Sequence, residues 1–275
     1  IQKWNLHKRV ALNILKFSGL NSRGIVASFM VASAVLSMWV MNTSTAIMLL
    51  PVGISVIKVI SDTVNDISDN QKFNFQLCLL LGIAYAASVG GIATPIGTSP
   101  NGVLIQFASN NYDYDIGFAN WISIGLPITL GLGPLIWIFL TRIIFPVNFS
   151  ATQESKEKLN LMLKELGPMS NEEKKVIVVF LITAFFWIFR QLIDNLPGLS
   201  LLDDSVIAIT GAVSLFFINE SKNKNKLLIW DDVQSGFPWG LIFLFGGGMA
   251  LAYVVNDSGL ALWLASLIPS ETYFW

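Results

Sequence analysis

Two long stretches of this chain carry no Asp, Glu, Lys or Arg, and each is interrupted near its middle by polar or glycine-rich residues. Residues 24 to 57 hold Met41-Asn42-Thr43-Ser44-Thr45 at their centre. Residues 73 to 112 hold Gly90-Gly91-Ile92-Ala93-Thr94-Pro95-Ile96-Gly97-Thr98-Ser99-Pro100-Asn101. Lipid offers freed backbone N–H and C=O groups no partner, so irregular polar chain at membrane depth persists only where it is buried in protein or lines a cavity. Interrupted apolar segments therefore point to a transporter's substrate site.

Further charge-free runs lie at 116–141, 205–219 and 233–256, and a membrane-spanning helix needs about 20 apolar residues. With 53% hydrophobic and 13% charged residues, the expected fold is an all-α polytopic membrane protein. A net charge of −1 gives no case for nucleic acid as a partner. Cys78 is the single cysteine, which excludes an intrachain disulfide or a cysteine metal cluster and reads as buried apolar filler. His7, the single histidine, reads as a surface residue near the headgroups.

Residues 1–23 open with a basic amphipathic pattern, in which Leu6, Val10, Ile14 and Phe17 share one helical face and Lys8, Arg9, Asn13 and Lys16 another. This suits a helix lying along the membrane interface. Segment 24–57 then reads as two apolar arms around an uncharged tip at 41–45, a re-entrant hairpin. Asn42 or Thr43 is expected to cap the second arm, and Pro51 to kink it. Residues 75–107 form one long element, broken where Gly90, Gly91, Pro95, Gly97, Pro100 and Gly102 favour unwinding. Spans are expected at 119–141, 176–193, 205–219 and 239–256. The charge-rich stretch 142–175 between them reads as a solvated linker.

Loop charges set the orientation. Residues 1–23 hold five basic and no acidic residues, 142–175 hold six basic residues, and 220–226 hold Lys222, Lys224 and Lys226, so these face the cytoplasm. Loops 109–118 and 194–204 hold only acids, namely Asp113 and Asp115, then Asp194, Asp203 and Asp204. Gly246-Gly247-Gly248 reads as a helix-packing site. An interfacial segment at 258–268 echoes the opening helix, as the start of a second, inverted repeat at 176–275 would. The chain is accordingly expected to be part of a longer inverted-repeat transporter.

Neither interrupted segment contains a Lys or Arg that could compensate a desolvated anion. What they offer is amides, hydroxyls, N–H groups at half-helix N-termini and carbonyls, a set that can hold an anion and a hard cation together. Proton coupling would need an intramembrane Asp, Glu or His, and both segments lack one, so sodium is the expected coupling ion. Asn42 and Thr43 could equally form a turn that merely caps a helix, and residues 90–101 could be a packing kink. A membrane-embedded hydrolase would need a nucleophile with a positioned base, which His7 in its basic segment does not supply. A passive channel or scaffold subunit is the remaining alternative.

At Ser37-Met38-Trp39-Val40-Met41-Asn42-Thr43-Ser44-Thr45 and at Ala87-Ser88-Val89-Gly90-Gly91-Ile92-Ala93-Thr94-Pro95-Ile96-Gly97-Thr98-Ser99-Pro100-Asn101 the chain resembles the divalent anion:sodium symporter family. Trp239 to Gly259 is similar to a later helix of that family. The resemblance implies sodium-coupled symport of a di- or tricarboxylate of the succinate, malate, fumarate or citrate type, with sulfate as the alternative. It implies no enzymatic activity and no cofactor besides sodium as coupling ion, in a multi-pass protein of the cell membrane, expected as a homodimer. It places Ser37, Met41, Asn42 and Gly90 at sodium, and Asn42, Thr43, Gly97, Thr98 and Asn101 at the substrate. Met41 stands where the family's Ser-Asn-Thr tip has serine, and a thioether is a poor ligand for a hard cation, so only its carbonyl could serve.

Overall fold

In the computed structural model the described residues are 3–16, 19–64, 67–193, 203–221, 225–236 and 239–267. Phe17, Asp194, Lys222, Lys224 and the end of the expected 258–268 segment lie outside them. The chain divides into two units, Ile1–Leu227 and Leu228–Trp275.

The first unit is built on a hairpin of α2 (Ser22–Ser37) and α3 (Asn42–Thr63), joined by a turn at residues 38–41. Asn21 starts α2, its side chain accepting from Arg23 N at 2.9 Å. The arms are unequal. At 1.5 Å per residue the 16-residue α2 is about 24 Å long and the 22-residue α3 about 33 Å, against a hydrocarbon core of about 30 Å. The helix α3 runs through Pro51 as one element.

Beside both arms runs α4 (Asp69–Gly90), which continues as a 3₁₀ turn at Gly91–Ala93, breaks at residues 94–98 and resumes as α5 (Ser99–Tyr112). The break is narrower than the glycine and proline pattern predicts. Pro100 sits in the first turn of α5, where its missing N–H costs nothing, and Gly102 lies inside that helix. Lipid is as apolar as a helix face, so helices in a bilayer associate through close packing. The α2–α4 crossing shows this at Gly90, where a Cβ would stand 2.4 Å from Ala34 O and 2.5 Å from Ala34 Cα. Ser33 adds a buried hydrogen bond across the same interface, its hydroxyl 2.7 Å from Ile83 O.

Helix α6 (Phe118–Ile138) continues as a π-helical turn at Phe139–Ile144 and packs on α4 and on the 3₁₀ turn that precedes the break. Among the described residues three helical stretches, Asn42–Thr63, Asp69–Ala93 and Phe118–Ile144, are long and apolar enough to cross a membrane. The linker contains α7 (Gln153–Glu165), opened by a capping box in which Thr152 and Ser155 each bond the other's backbone N–H. Beyond it α8 (Asn171–Ile193) pairs with α9 (Asp204–Phe217), and at 14 residues α9 falls short of a full span.

Two expectations for the opening segment need correction. Helix α1 (Leu6–Leu15) buries Leu6, Ala11, Leu12 and Leu15, with Val10 and Ile14 only partly buried. It packs against α2, α3 and α7 together, so its buried side is broader than the single stripe read from periodicity. His7 is buried at 5% exposure rather than on the surface, for the same reason. Cys78 is buried as expected, its thiol donating to Leu140 O at 3.2 Å.

Side-chain contacts sort the loops. Arg9 meets Glu173, Lys175 donates to Asn219 O, and Leu6, Val176 and Leu227 share a cluster, which gathers the basic loops at one end. Arg190 lies 3.6 Å from Asp115 and 3.2 Å from Asp204, joining the two acidic loops.

The second unit holds α10 (Trp230–Gly236), α11 (Trp239–Asp257) and α12 (Leu260–Ser266). Gly259, at φ 72°, makes the corner, and the last two helices meet at 64°. Among the described residues a Cβ at Gly246, Gly247 or Gly248 would meet nothing within 4 Å, so the packing role expected of this triplet finds no partner there.

Candidate functional site

The hairpin turn and the break in α4 meet. The turn is tied down by Ser37 Oγ and Thr45 Oγ1, which donate to Val40 O at 3.4 and 3.3 Å, while Thr94 Oγ1 donates to Met38 O. Thr94 and Gly97 of the break are buried, as are Ser37 and Thr45 of the hairpin. A Cβ on Gly97 would sit 2.5 Å from Gly91 O and 2.9 Å from Ser37 O. Only glycine lets the two irregular segments approach so closely.

Asn42 lies at the centre. It neither caps α3 nor does Thr43: the N-cap position is Met41, which makes no side-chain capping bond. Instead the Asn42 carboxamide reaches across to the break. One arm of it stands 2.8 Å from Ser37 Oγ, 3.1 Å from Ala87 O and 3.2 Å from Gly97 O, and the other 3.4 Å from Thr98 Oγ1. With the NH2 on the crowded arm, all of these contacts join a donor to an acceptor. With the carbonyl oxygen there, four oxygens converge, an arrangement that a hard cation stabilises. The same pocket of atoms thus fits a small oxygen-seeking cation, and its ligands are neutral. No group of three or more His, Cys, Asp or Glu able to hold a metal occurs among the described residues.

Of the residues expected at sodium, Ser37 and Asn42 are in contact, and the Met41 carbonyl accepts the Thr45 N–H at 2.9 Å. Gly90 faces α2 at Ala34, whereas Gly91 is the glycine against Asn42: a Cβ there would lie 2.2 Å from Asn42 Oδ1. Of those expected at the substrate, Thr98 and Gly97 adjoin Asn42, and Thr43 is exposed on the first turn of α3. Asn101 is 7% exposed and spends its amide N–H groups on Gly91 O and Thr94 O, both at 2.8 Å. It braces the break from within.

Several participants carried no sequence signal. Ala87 contributes a main-chain carbonyl, which any residue type would offer. Trp121 Nε1 donates to Ile92 O at 2.9 Å and Thr129 Oγ1 to Val89 O at 2.9 Å, so α6 satisfies carbonyls that unwinding frees. Trp39, in the turn, stacks at 6.1 Å on Phe118 and at 6.5 Å on Trp187, and Phe180 meets it edge-on at 4.9 Å. This aromatic packing holds the turn against α6 and α8.

The Asn42–Thr98 contact also brings together the N-terminal ends of α3 and α5. Each helix N-terminus carries about half a positive elementary charge and N–H groups without intrahelical partners. Two such ends side by side, with no Lys or Arg in either segment, form an uncharged cradle for an anion.

Comparison with known proteins gives the family. The sodium:sulfate symporter transmembrane region, a family model, matches residues 1–273. The chain is 37% identical over 267 residues to the sodium-dependent dicarboxylate transporter SdcS of Staphylococcus saprophyticus, covering 96% of this chain and 51% of that protein. It is 35% identical over 274 residues to SdcS of Staphylococcus aureus strain USA300, covering 98% and 52% respectively. The chain thus spans about half the length of the curated relatives it matches. By the extent of that match the chain belongs to the sodium:sulfate symporter family.

Proposed function

We propose that this chain forms one half of the site of a sodium-coupled symporter for dicarboxylates, a transporter rather than an enzyme, in the cell membrane. The convergence of two helix N-termini on an oxygen cluster that lacks any charged side chain carries the reading. An anion in such a cradle stays costly until cations join it, and those cations are what the Ser37, Asn42, Ala87 and Gly97 oxygens are suited to hold. In this proposal Ser37, Asn42 and the main chain at 41, 87, 91 and 97 serve sodium. Asn42, Thr43 and Thr98 present amide and hydroxyl groups to a substrate carboxylate, and Asn101 holds the break in shape. Gly90 contributes by letting α2 approach. Rigid-body movement of the part carrying the site would give alternating access, and the carrier works as a homodimer. The relatives' name, dicarboxylate transporter, supports succinate, malate or fumarate as substrate, and the family description makes sulfate the second anion to test.

The test is uptake of labelled succinate by the full-length carrier in proteoliposomes, with sodium or potassium outside. Accumulation above the external concentration only in sodium is expected, and Asn42→Ala or Thr43→Ala should abolish it without loss of folded protein. Equal rates in the two salts would end the coupling proposal. Flux that never exceeds equilibrium would favour a channel.

A further inference from the structure

We propose that the open cleft between α1 and α7 is a binding site for the phosphate of an anionic lipid headgroup. The cleft has a volume of about 740 Å³ and presents Arg9 and Asn13 from α1, Lys16 at its C-terminal cap, and Glu157, Asn160 and Lys164 from α7. The α1 residues recur at spacings of four and three, and the α7 residues likewise at three and four, so one polar stripe of each helix faces the other.

Arg9 is a fixed cation at its edge. Nε donates to Glu173 Oε1 at 3.1 Å, and the two terminal nitrogens donate to Gly167 O at 3.0 Å and Leu166 O at 3.3 Å. Its side chain is 13% exposed. Glu173 is itself held, accepting from Ser170 N at 2.7 Å. A guanidinium has five N–H donors, so two remain for a ligand after these three bonds. Lys16 and Lys164 flank the cleft, and Lys156 lines a small hollow next to it together with Lys16 and Asn160. Among the described residues none of these three lysines has a carboxylate within ion-pair distance. Arg9 is balanced by Glu173, and Glu157 is the one carboxylate in the lining. The unbalanced charge therefore comes from Lys16, Lys156 and Lys164, and favours an anion.

The position selects the source of that anion. The opposite side of α1 is buried against the membrane helices through Ala11, Leu12 and Leu15, and loop charge places this end at the cytoplasmic leaflet. Anionic headgroups concentrate there, and basic pockets on that side of membrane helices bind them. A headgroup seated between Lys16 and Lys164 would bridge α1 and α7, both of which pack on α3.

The experiment counts lipid bound to the full-length protein by native mass spectrometry, in neutral detergent with short-chain phosphatidylglycerol, phosphatidylcholine or inorganic phosphate. Phosphatidylglycerol should be retained over phosphatidylcholine. Each lysine near an anionic headgroup is worth about fivefold, so Lys16→Gln with Lys164→Gln should weaken retention roughly 25-fold. Lys58→Gln with Lys174→Gln removes the same charge at exposed positions outside the cleft and should leave retention nearly unchanged. Glu157→Gln, an exposed change that spares the fold, should strengthen it. Equal weakening by both double variants, or no gain with Glu157→Gln, would overturn the site. Displacement of phosphatidylglycerol by equimolar inorganic phosphate would overturn the lipid and assign the cleft to soluble phosphate.

Discussion

Gly91→Ala separates the site from the fold. A Cβ at this position would lie 2.2 Å from Asn42 Oδ1, 3.1 Å from Cγ and 3.2 Å from Nδ2, so its three nearest contacts are all with that one carboxamide. Ordinary contact begins at 3.4 Å, so the carboxamide must retreat by about 1.2 Å. Displaced that far, the carboxamide cannot keep its contacts of 2.8, 3.1 and 3.2 Å to Ser37, Ala87 and Gly97 together. The carboxamide is the far end of a side chain and can swing aside, so the backbone need not move. The protein should fold with a melting temperature within a few degrees of wild type. Loss of one oxygen from a bound cation, at about 1.5–3 kcal/mol, should raise the half-saturating sodium concentration for succinate uptake roughly 10- to 100-fold. The assay is sodium-dependent uptake by full-length variant in proteoliposomes, with thermal unfolding in parallel. A half-saturation within about threefold of wild type would refute the placement of Asn42 at the ion.

Gly90→Ala should act in the opposite way. Its Cβ meets the backbone of Ala34 at 2.4 Å, which cannot swing aside, so α2 and α4 must part. Overpacking of this kind costs about 1–3 kcal/mol, to be read as lower folded yield and earlier thermal unfolding. Trp121→Phe keeps the ring but leaves Ile92 O without its donor, and should cost about 1 kcal/mol, seen as a several-fold weaker sodium dependence with near-normal maximal rate. Glu172 accepts the Ser221 N–H at 2.7 Å, and that bond holds its carboxyl below the ordinary value of 4.5. Its contribution is complete above pH 4.5 and fades as pH falls through the lowered folded value. Hydrogen exchange at Ser221 should lose protection on acidification in wild type, but not further in Glu172→Gln.

The helical elements were readable because membrane chemistry writes them in long charge-free runs. The two interruptions also appear directly, since Asn, Thr, Gly and Pro are conspicuous among Val, Leu and Ile. Periodicity served less well where a helix touches several neighbours. For α1 a single apolar stripe was expected, but α2, α3 and α7 surround it, which buries Ala11, Leu12 and Leu15 and takes His7 inside. Capping rules suggested that Asn42 or Thr43 closes α3, yet the carboxamide of Asn42 finds better partners across the gap than along its own helix.

Sequence by itself determined the fold class, the two irregular segments, the neutral character of their polar groups and the sign of each loop, because composition and spacing are properties of the chain alone. Only the tertiary structure decided which atoms meet: Gly91 rather than Gly90 against Asn42, Asn101 as a brace, and the carbonyls of Ala87 and Gly97 as neighbours of the Asn42 carboxamide. The physical reason is that main-chain oxygens occur at every residue. Their value to a cation comes from convergence in space, which no residue type announces.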